Sequence, residues 1–462
     1  MRPLIGRECE LARLREQLDS APSLVVLRGR RRIGKTFLLA HAFVGERVVS
    51  YQADEQLPAA QLASFAGEVA RLLPGAPPLS FSSWDEALGF LAAQAAEEPL
   101  VTVIDEFQYA CASEPALPSI IQRHWDRWDR DGTRICLVLS GSALTFMEGL
   151  LAGDAPLHGR AGYRPTLDPL DYRDAAKMAP AHSSAEQLIE RYAVLGGTPQ
   201  YQVWAGERPL KQSVCDTVLS KGAPLYEEPL TLVRQERGIR DLMRYFGVLS
   251  AIGSGRTRNA QIASLLELPS SNVAVVLERL AALGYVEERA PVTLGSRRRN
   301  GFWQIGDPFF RFWFRRIAPN RSRLDRGDAI EAVWQEIERD LSTYVGRIFE
   351  DVCRTWLTRY SGVEEAAGAA SIGAWWSRDG SVEIDIACAD RDRYTLFGSC
   401  KWSRKLVDED VLDALIDSTD AIGARTGGAR LALFARRGFT RSLQRRARRE
   451  NVLLVTAEDL FA

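Results

Sequence analysis

Short apolar runs alternate with stretches of helical periodicity along the first third of the chain. The runs contain the β-branched and other apolar residues that favour strands. Continuous apolar strands between helices are typical of a parallel sheet that is covered on both faces. The pattern therefore predicts an α/β core over residues 1–170. The predicted strands are Leu24–Leu27, Val48–Tyr51, Leu100–Ile104, Ile135–Leu139 and Tyr163–Leu167.

Beyond the core, the pattern predicts three further segments. Residues 171–236 are helical and moderately polar. Residues 237–318 show three helices and then two short strands around a basic hairpin, which is the order of a winged helix-turn-helix. Residues 319–462 begin with a long helix, continue with three strands, and end with alternating helices and strands. The predicted winged-helix elements are Asp241–Ile252, Asn259–Leu266, Ser270–Leu283, Val286–Glu288 and Gly301–Ile305, and the predicted tail strands are Ala374–Trp376, Glu383–Ala387, Tyr394–Cys400, Leu431–Phe434 and Val452–Val455.

Composition and charge exclude several classes of protein. The formal net charge is −1 over 462 residues, so contact with nucleic acid or an anionic membrane would have to use local patches. No apolar run is long enough to span a bilayer, and the start MRPLIGRECE is too polar for a signal peptide. The seven scattered cysteines and four histidines predict neither a disulfide frame nor a zinc site. We expect a cytoplasmic protein with no membrane partner.

The sequence GRRRIGKT, residues Gly29–Thr36, has the spacing of a phosphate-binding loop. A predicted strand precedes it and a predicted helix follows it, which is the context that this loop requires. Backbone N–H groups of the loop and the positive end of the helix would face the phosphates. Lys35 is expected to reach the β- and γ-phosphates, and Thr36 to offer its hydroxyl to Mg²⁺. The predicted nucleotide contacts of this stretch are Gly29, Arg30, Arg31, Arg32, Ile33, Gly34, Lys35, Thr36 and Phe37.

The strand Leu100–Ile104 ends in two carboxylates, Asp105 and Glu106. With the phosphate loop upstream, this arrangement predicts the second half of a nucleotide-hydrolysing site, where Asp105 holds Mg²⁺ and Glu106 activates the attacking water. The alternative is that Asp105 only caps the next helix. The next strand ends in Ser140, which could sense the γ-phosphate or the water, although serine is also common in plain turns.

Four fragments, IGRE, GRRRIGKT, IDEFQ and LSGS, resemble the archaeal-type ATPases of the STAND division, the signal-transduction ATPases with numerous domains, within the AAA+-like P-loop proteins. The resemblance covers the first half of the chain. It implies binding and hydrolysis of ATP with Mg²⁺, and it places Ile5 and Arg7 near the nucleotide. It also implies that residues 171–236 form a helical lid. Pro199 of the lid element Gly197-Thr198-Pro199 would then pack on the adenine; the alternative is a glycine that ends one helix and a proline that stops it.

The predicted winged helix leaves two interpretations open. As a DNA reader, it would place helix 270–283 in the major groove, with Arg297–Arg299 on backbone phosphates. The helix sequence SSNVAVVLERLAAL is mostly apolar, however, which suits a regulatory or packing module as well.

The tail, residues 319–462, resembles the PD-(D/E)xK restriction-endonuclease fold, and more narrowly the domain of unknown function that ends many archaeal-type ATPases. The resemblance implies that Asp385 is a metal ligand, Lys401 the catalytic lysine and Glu350 a supporting carboxylate. The motif asks for a carboxylate two residues before the lysine, where this chain has Ser399. A neutral hydroxyl is a weak ligand for Mg²⁺, so the tail is expected to retain the fold and bind nucleic acid without cutting it.

Arginines are densest in the stretch Arg436–Arg449, which could bind phosphates or could be a solvated helix face balanced by Glu409 and Asp410. The combined prediction is an α/β multidomain ATP switch. It has a parallel-sheet P-loop core, a lid, a winged helix and a restriction-endonuclease-like domain, and its nucleotide state controls a DNA-binding tail. The alternatives are a transcription regulator that uses the winged helix, a metal nuclease in defence or DNA processing, and a switch that acts on a protein partner or through nucleotide-dependent oligomers.

Overall fold

The computed structural model describes residues 2–73, 78–236, 239, 241–294, 301–420, 422 and 428–462. The chain divides into two compact units, Met1–Pro169 and Leu170–Ala462. Within the described residues, no single helix has the length and apolar composition needed to cross a bilayer; the pair Asn259–Leu266 and Ser270–Ala282 meets those criteria only jointly and is bent by 115°.

In the described part of the first unit, the strands form one parallel sheet in the order β2-β3-β4-β1-β5. Side chains of the sheet are buried on both faces, as the continuous apolar runs predict. The strands are β1 Ser23–Gly29, β2 Val48–Gln52, β3 Leu100–Asp105, β4 Ile135–Gly141 and β5 Thr166–Leu167. The helices are α1 Glu8–Asp19, α2 Lys35–Ala42, α3 Pro58–Ala70, α4 Trp84–Glu97, α5 Phe107–Ser113, α6 Leu117–Asp131 and α7 Leu144–Gly149.

The fifth strand is shorter than predicted. Tyr163 makes only an isolated bridge with Val25, and the paired strand is Thr166–Leu167. Pro165 has no N–H to donate to a ladder, which breaks the pairing between these two points. The prediction of a strand from Tyr163 to Leu167 is therefore wrong in its first half.

The strand order brings the loops that follow β1, β3 and β4 to one edge of the sheet. Strand β4 lies between β1 and β3 and pairs in parallel with both. Because the carboxyl ends of parallel strands share an edge, the phosphate loop, the Asp105 carboxylate and the end of β4 are gathered there.

The second unit begins with helices and a small antiparallel pair of strands. The helices are α8 Tyr172–Ala176, α9 Ala185–Leu195, α10 Pro199–Ala205, α11 Leu210–Val214, α12 Glu228–Arg234, α13 Leu242–Gly253, α14 Asn259–Leu266 and α15 Ser270–Ala282. The strands β6 Val286–Arg289 and β7 Phe302–Ile305 pair in antiparallel register. The predicted three helices and two strands of residues 237–318 are thus present, each within two residues of its predicted ends. The predicted phosphate contacts Arg297–Arg299 lie outside the described residues.

The remainder of the second unit is built on a mixed sheet in the order β12-β11-β10-β9-β8. The strands are β8 Ser371–Trp376, β9 Glu383–Ala389, β10 Tyr394–Lys401, β11 Arg430–Ala435 and β12 Leu453–Thr456. The helices are α16 Pro308–Phe312, α17 Arg321–Leu324, α18 Ile330–Arg359, α19 Glu364–Ala367, α20 Glu409–Asp420 and α21 Arg441–Glu450, and a π-helical turn, Trp313–Ile317, continues α16. Helix α18 packs on the sheet through Phe349, whose ring meets Trp402, and Trp356, whose ring meets Phe434.

Candidate active site

The phosphate loop joins β1 to α2 through a left-handed residue. Gly34 has φ 95° and stands directly before Lys35, the first residue of α2. A side chain at that φ would be strained, so the glycine is required by the backbone. Ile33 is buried in the core, whereas the Phe37 side chain is 37% exposed and its ring lies 4.3 Å from that of His41. The Ile33 side chain faces the core, so a nucleotide could meet this residue only at its backbone, and the contacts of Ile33 and Phe37 stay predictions.

Lys35 is buried at the edge of the sheet where the carboxylates lie. Its ammonium donates to the carbonyl oxygens of Gly29 at 2.8 Å and Arg30 at 3.3 Å. Burial lowers the pKa of Lys35, and the nearby carboxylates of Glu106 and Asp105 oppose that shift. A cation held by carbonyl dipoles and beside two carboxylates is placed to interact with an anionic ligand.

One hydrogen bond joins the two motifs. The Thr36 hydroxyl donates to Oδ2 of Asp105 at 2.6 Å, although 69 residues separate them. The other oxygen of Asp105 accepts from the N–H of Glu106 at 3.0 Å. A hydroxyl and a carboxylate in contact supply two of the oxygen ligands that Mg²⁺ takes beside a triphosphate, so the donor set fits that ion.

Glu106 has an unusual backbone and a defined set of partners. Its φ of 52° and ψ of 43° are left-handed, which is uncommon for a residue with a side chain and typical of functional positions. Its Oε2 accepts from the Ser142 hydroxyl at 2.6 Å and from the Gln108 amide. Gln108 also donates to the Ser142 hydroxyl at 3.2 Å. The carboxylate is therefore held through one oxygen.

Ser142 and Gln108 were not identified by the motif. Ser140, the predicted sensor, is fully buried in β4, and its hydroxyl has no hydrogen-bond partner among the described residues. Ser142 lies one residue beyond the strand end and reaches Glu106 instead. Two features of the sequence could have indicated them: the second serine of LSGS, and the glutamine two residues after Glu106.

Two of the other predicted nucleotide contacts, Arg7 and Arg31, bond to other residues of the protein. Arg7 is buried, pairs with Glu10 at 3.2 Å and donates to the carbonyl of Asp168. Arg31 donates to the Tyr109 hydroxyl at 2.7 Å, which links the loop to the helix after Glu106. Ile5 is half-buried and Arg32 is exposed. Direct contact of these residues with a nucleotide stays a prediction.

The lid element lies in the second unit. Gly196 ends α9, and Pro199 is the first residue of α10, so the helix-end interpretation describes its local structure. Gly197 is packed so closely that an added Cβ would lie 1.8 Å from the Leu170 carbonyl oxygen. Pro199 is half-buried, and its contact with adenine stays a prediction.

The predicted nuclease residues of the tail have a different environment. Asp385 accepts from the Ser399 hydroxyl at 3.1 Å and from the N–H of Cys400 at 2.7 Å. Glu350 pairs with Arg354 at 2.9 Å, and Arg354 also donates to the Asp385 carbonyl at 3.1 Å. Lys401 is exposed at the end of β10. A guanidinium bonded to Glu350 and a serine beside Asp385 leave a donor set that does not fit Mg²⁺.

The basic stretch of the tail needs a correction. Arg436 is 7% exposed, pairs with Glu186 at 2.9 Å and Glu190 at 3.2 Å, and lies over the Trp402 ring. Arg446 pairs with Asp413 and Glu409. The prediction that Arg436 contacts phosphate is therefore wrong, because the side chain is buried between carboxylates. The exposed arginines of α21 are Arg441, Arg445, Arg448 and Arg449.

The parallel sheet, the glycine loop and the joined threonine and aspartate define a P-loop ATPase domain. Residues 4–203 match the family model of an ATPase domain found predominantly in Archaea. Residues 313–412 match a family described as archaeal and bacterial proteins of unknown function. The chain thus carries an archaeal-type ATPase domain and, after it, a domain of the second family.

Known proteins resemble the chain over most of its length. An uncharacterised protein of Methanocaldococcus jannaschii is 28% identical over 412 residues, which cover 88% of this chain and 89% of that protein. The structure of a Walker-type ATPase of Pyrococcus abyssi superposes with a TM-score of 0.51 at 19% identity, covering 68% of this chain and 99% of that one, and supports the fold. A STAND protein of Pyrococcus horikoshii with a tetratricopeptide repeat sensor superposes with a TM-score of 0.33 at 14% identity, covering 78% of this chain and 51% of that one.

Proposed function

We propose that this protein is a Mg²⁺-dependent ATPase that works as a slow nucleotide-controlled switch. The observation that carries the proposal is the 2.6 Å bond between Thr36 and Asp105, which assembles both halves of a hydrolytic site. Lys35 beside them supplies the charge that a triphosphate needs. The preference for adenine rests on the resemblance of Pro199 to the lid proline of STAND ATPases. Placement in the cytoplasm belongs to the same proposal.

The residues divide the work of hydrolysis. Thr36 and Asp105 would hold Mg²⁺, which supplies charge neutralisation on the β- and γ-phosphates when bound. Lys35 neutralises the charge that develops on the γ-phosphate. Glu106 orients the attacking water and accepts its proton, and the bonds from Ser142 and Gln108 fix the carboxylate in place. Cleavage of the terminal phosphate would then be the event that changes the state of the switch.

The test compares ATP binding and hydrolysis in three variants. Lys35→Ala is expected to lose binding because the phosphates lose their cation. Glu106→Gln is expected to bind ATP and lower kcat by about 10²–10⁴-fold, since only the base is removed. Glu98→Gln, an exposed carboxylate before the opposite end of β3, is the matched control and should behave as wild type. Equal hydrolysis by Glu106→Gln and wild type would refute the assignment.

We propose further that residues 237–318 form a winged helix that serves packing or regulation and does not read DNA. The observation is the exposed face of α15. It carries Ser271, Val275, which is 64% exposed, and Glu278. Glu278 repels a phosphate backbone, and neither Glu278 nor Val275 can donate a hydrogen bond to a base. The residues of this helix that could donate to a base, Asn272 and Arg279, are half-buried. This disfavours the transcription regulator among the alternatives.

The tail, in this proposal, keeps a restriction-endonuclease-like fold and binds DNA without cutting it. Three observations support the fold and the absence of cutting: the sheet with its long helix α18, the neutral Ser399, and Arg354 bonded to Glu350. Within the described residues, no three His, Cys, Asp or Glu side chains are grouped to hold a metal ion. ATP state would then control how tightly the tail holds its ligand.

A further inference from the structure

A cavity of about 360 Å³, here called the α21–β12 cavity, lies between helix α21 and the edge strand β12 of the tail. Four lining residues stand at positions i, i+3, i+4 and i+7 of α21 and its C-terminal cap, which share one helix face: Gln444, Ala447, Arg448 and Asn451. Alternate residues line the opposite wall, beginning one residue before β12: Val452, Leu454 and Thr456. The helix period and the strand period therefore agree on which residues face this cavity.

The lining of the α21–β12 cavity has an apolar floor and a polar rim. Three of its residues are apolar and buried in the core of the tail: Phe439, Ala447 and Val452. Three others are polar and exposed: Gln444, Arg448 and Asn451. An apolar surface with a few polar groups is the usual composition of a site for a small organic group. The cavity is therefore suited to a mostly apolar group that carries hydrogen-bonding atoms along its edge.

Two side-chain amides lie at the rim of the cavity. The Asn451 carbonyl accepts from Arg430 at 3.2 Å, whereas the Asn451 side-chain amide has no hydrogen-bond partner within the described ranges. The Gln444 amide donates to the Phe439 carbonyl at 3.2 Å and keeps its oxygen as an acceptor. Each amide group combines a donor with an acceptor, which is the combination that matches the edge of a nucleobase.

A row of three arginines leads away from the cavity along one exposed face of α21. They stand at positions i, i+4 and i+7: Arg441, Arg445 and Arg448. In the part of the tail that the structure describes, no carboxylate pairs with these three, whereas Arg446 and Arg449 both pair with Glu450. Guanidinium groups match the oxygens of phosphates. Because Arg448 belongs to both the row and the cavity lining, a ligand in the cavity meets the row at this residue.

We propose that this surface binds single-stranded DNA, with one unstacked base in the α21–β12 cavity and the adjoining phosphates on Arg441, Arg445 and Arg448. Single strands offer unstacked bases whose edges side chains can reach, whereas a duplex keeps its bases stacked and paired. An acidic peptide would use the arginines and leave the cavity and its amides without a role. The inference rests on the proposed DNA-binding tail, and it names the form of DNA and the residues that bind it.

The test measures binding of three labelled 12-mers to the full chain at several salt concentrations: a single strand, its duplex, and an abasic single strand that has the same backbone. Wild type is expected to bind the normal single strand about tenfold more tightly than the abasic strand, and more tightly than the duplex. Asn451→Gly keeps the left-handed backbone, which has φ 54°, and removes the amide. It should weaken binding of the normal strand about fivefold and leave binding of the abasic strand unchanged.

A second pair of variants tests the row of arginines. Arg448→Gln is expected to weaken binding of both single strands and to reduce the salt slope by about 0.7, the share of one phosphate contact on a single strand. The matched control is Arg449→Gln, which makes the same charge change at the next residue. Arg449 is paired with Glu450 and does not line the cavity, so this variant should stay within about twofold of wild type. Melting temperatures of all variants show whether each one folds.

Equal losses in Arg448→Gln and Arg449→Gln would overturn the inference, since net charge alone would explain them. Equal affinity of wild type for the normal and abasic strands would also overturn it, as would tighter binding of a polyglutamate peptide than of any DNA. If wild type binds DNA and none of these variants changes the affinity, only this inference fails. If wild type binds no DNA at all, the proposed DNA-binding tail fails as well, and ATP hydrolysis measured on the same samples tests the ATPase separately.

Discussion

The chain contains two sets of carboxylates with a lysine, and they have opposite surroundings. In the first unit, Lys35 is buried beside Asp105 and Glu106. In the second, Lys401 is exposed, and the cation bonded to Glu350 is Arg354. The Asp105 carboxylate accepts from Thr36 of the phosphate loop, whereas the Glu350 carboxylate accepts from a guanidinium. The partners of a carboxylate, and not its motif, decide whether it is available for chemistry.

The same contrast appears in protonation. Burial lowers the pKa of Lys35 against the pull of two carboxylates. Burial and the nearby Asp385 carboxylate raise the pKa of Glu350 to about 7, against the pull of Arg354. Burial and a close second carboxylate both favour the protonated form of a carboxyl group, and here they outweigh the guanidinium. Glu350 therefore acts as a titrating structural group near neutral pH.

Among the tests that sharpen the comparison of the two carboxylate sites, the largest expected effect is the loss of ATP hydrolysis on removal of the Ser142 hydroxyl. Ser142→Ala removes one donor from the Glu106 carboxylate, and a hydrogen bond to a charged group is worth about 1.5–3 kcal/mol. We expect kcat for ATP to fall about ten- to hundredfold with little change in KM. Ser142→Thr should restore most of the rate and the pH profile of kcat. Ser140→Ala is the matched control from the same strand end.

A rate lost equally in Ser140→Ala would support the prediction that Ser140 senses the γ-phosphate or the water. An unchanged rate in Ser142→Ala would show that the hydrogen bond to Glu106 does not position the base. In either case the hydrogen bond from Ser142 would contribute less to positioning the Glu106 carboxylate than its 2.6 Å length indicates.

A smaller effect is expected in stability against pH. An unfolded glutamate titrates near about 4.3, and folded Glu350 near 7, so between these values the folded chain holds a proton that the unfolded chain has lost. The free energy of unfolding should therefore fall by about 1–3 kcal/mol as pH rises through that window, and level off above it. Glu350→Gln should remove this decline in denaturant titrations, and Glu338→Gln, exposed on the same helix, should not.

If wild type and Glu350→Gln lose stability in parallel as pH rises, Glu350 is ionised throughout. The ion pair with Arg354 then dominates over burial, and the second site resembles an ordinary salt bridge.

Much of this contrast could be predicted from the sequence, and the reasons for the rest are physical. Apolar runs marked the core strands, and the glycine loop with its lysine marked the first site. The salt bridge of Arg436 with Glu186 joins residues 250 positions apart, so no local sequence pattern could have predicted it. Arg354, four residues after Glu350 on one helix, had the spacing of an ion pair and could have been recognised. The position of the Ser142 hydroxyl depends on the backbone conformation after the last residue of β4, which the spacing of residues in the sequence does not specify.

The last prediction concerns DNA cleavage, for which we expect no activity and therefore no effect of substitution at Lys401. With Mg²⁺ or Mn²⁺, with or without ATP, we expect wild type and Lys401→Ala to leave single- and double-stranded DNA intact, because Ser399 supplies no carboxylate and Arg354 is bonded to Glu350. Cutting by wild type that Lys401→Ala abolishes would break the comparison and make the tail a metal nuclease. Cutting by Ser399→Glu alone would sharpen the comparison. It would show that the missing carboxylate, and not the bond between Arg354 and Glu350, is what keeps the tail from cutting DNA.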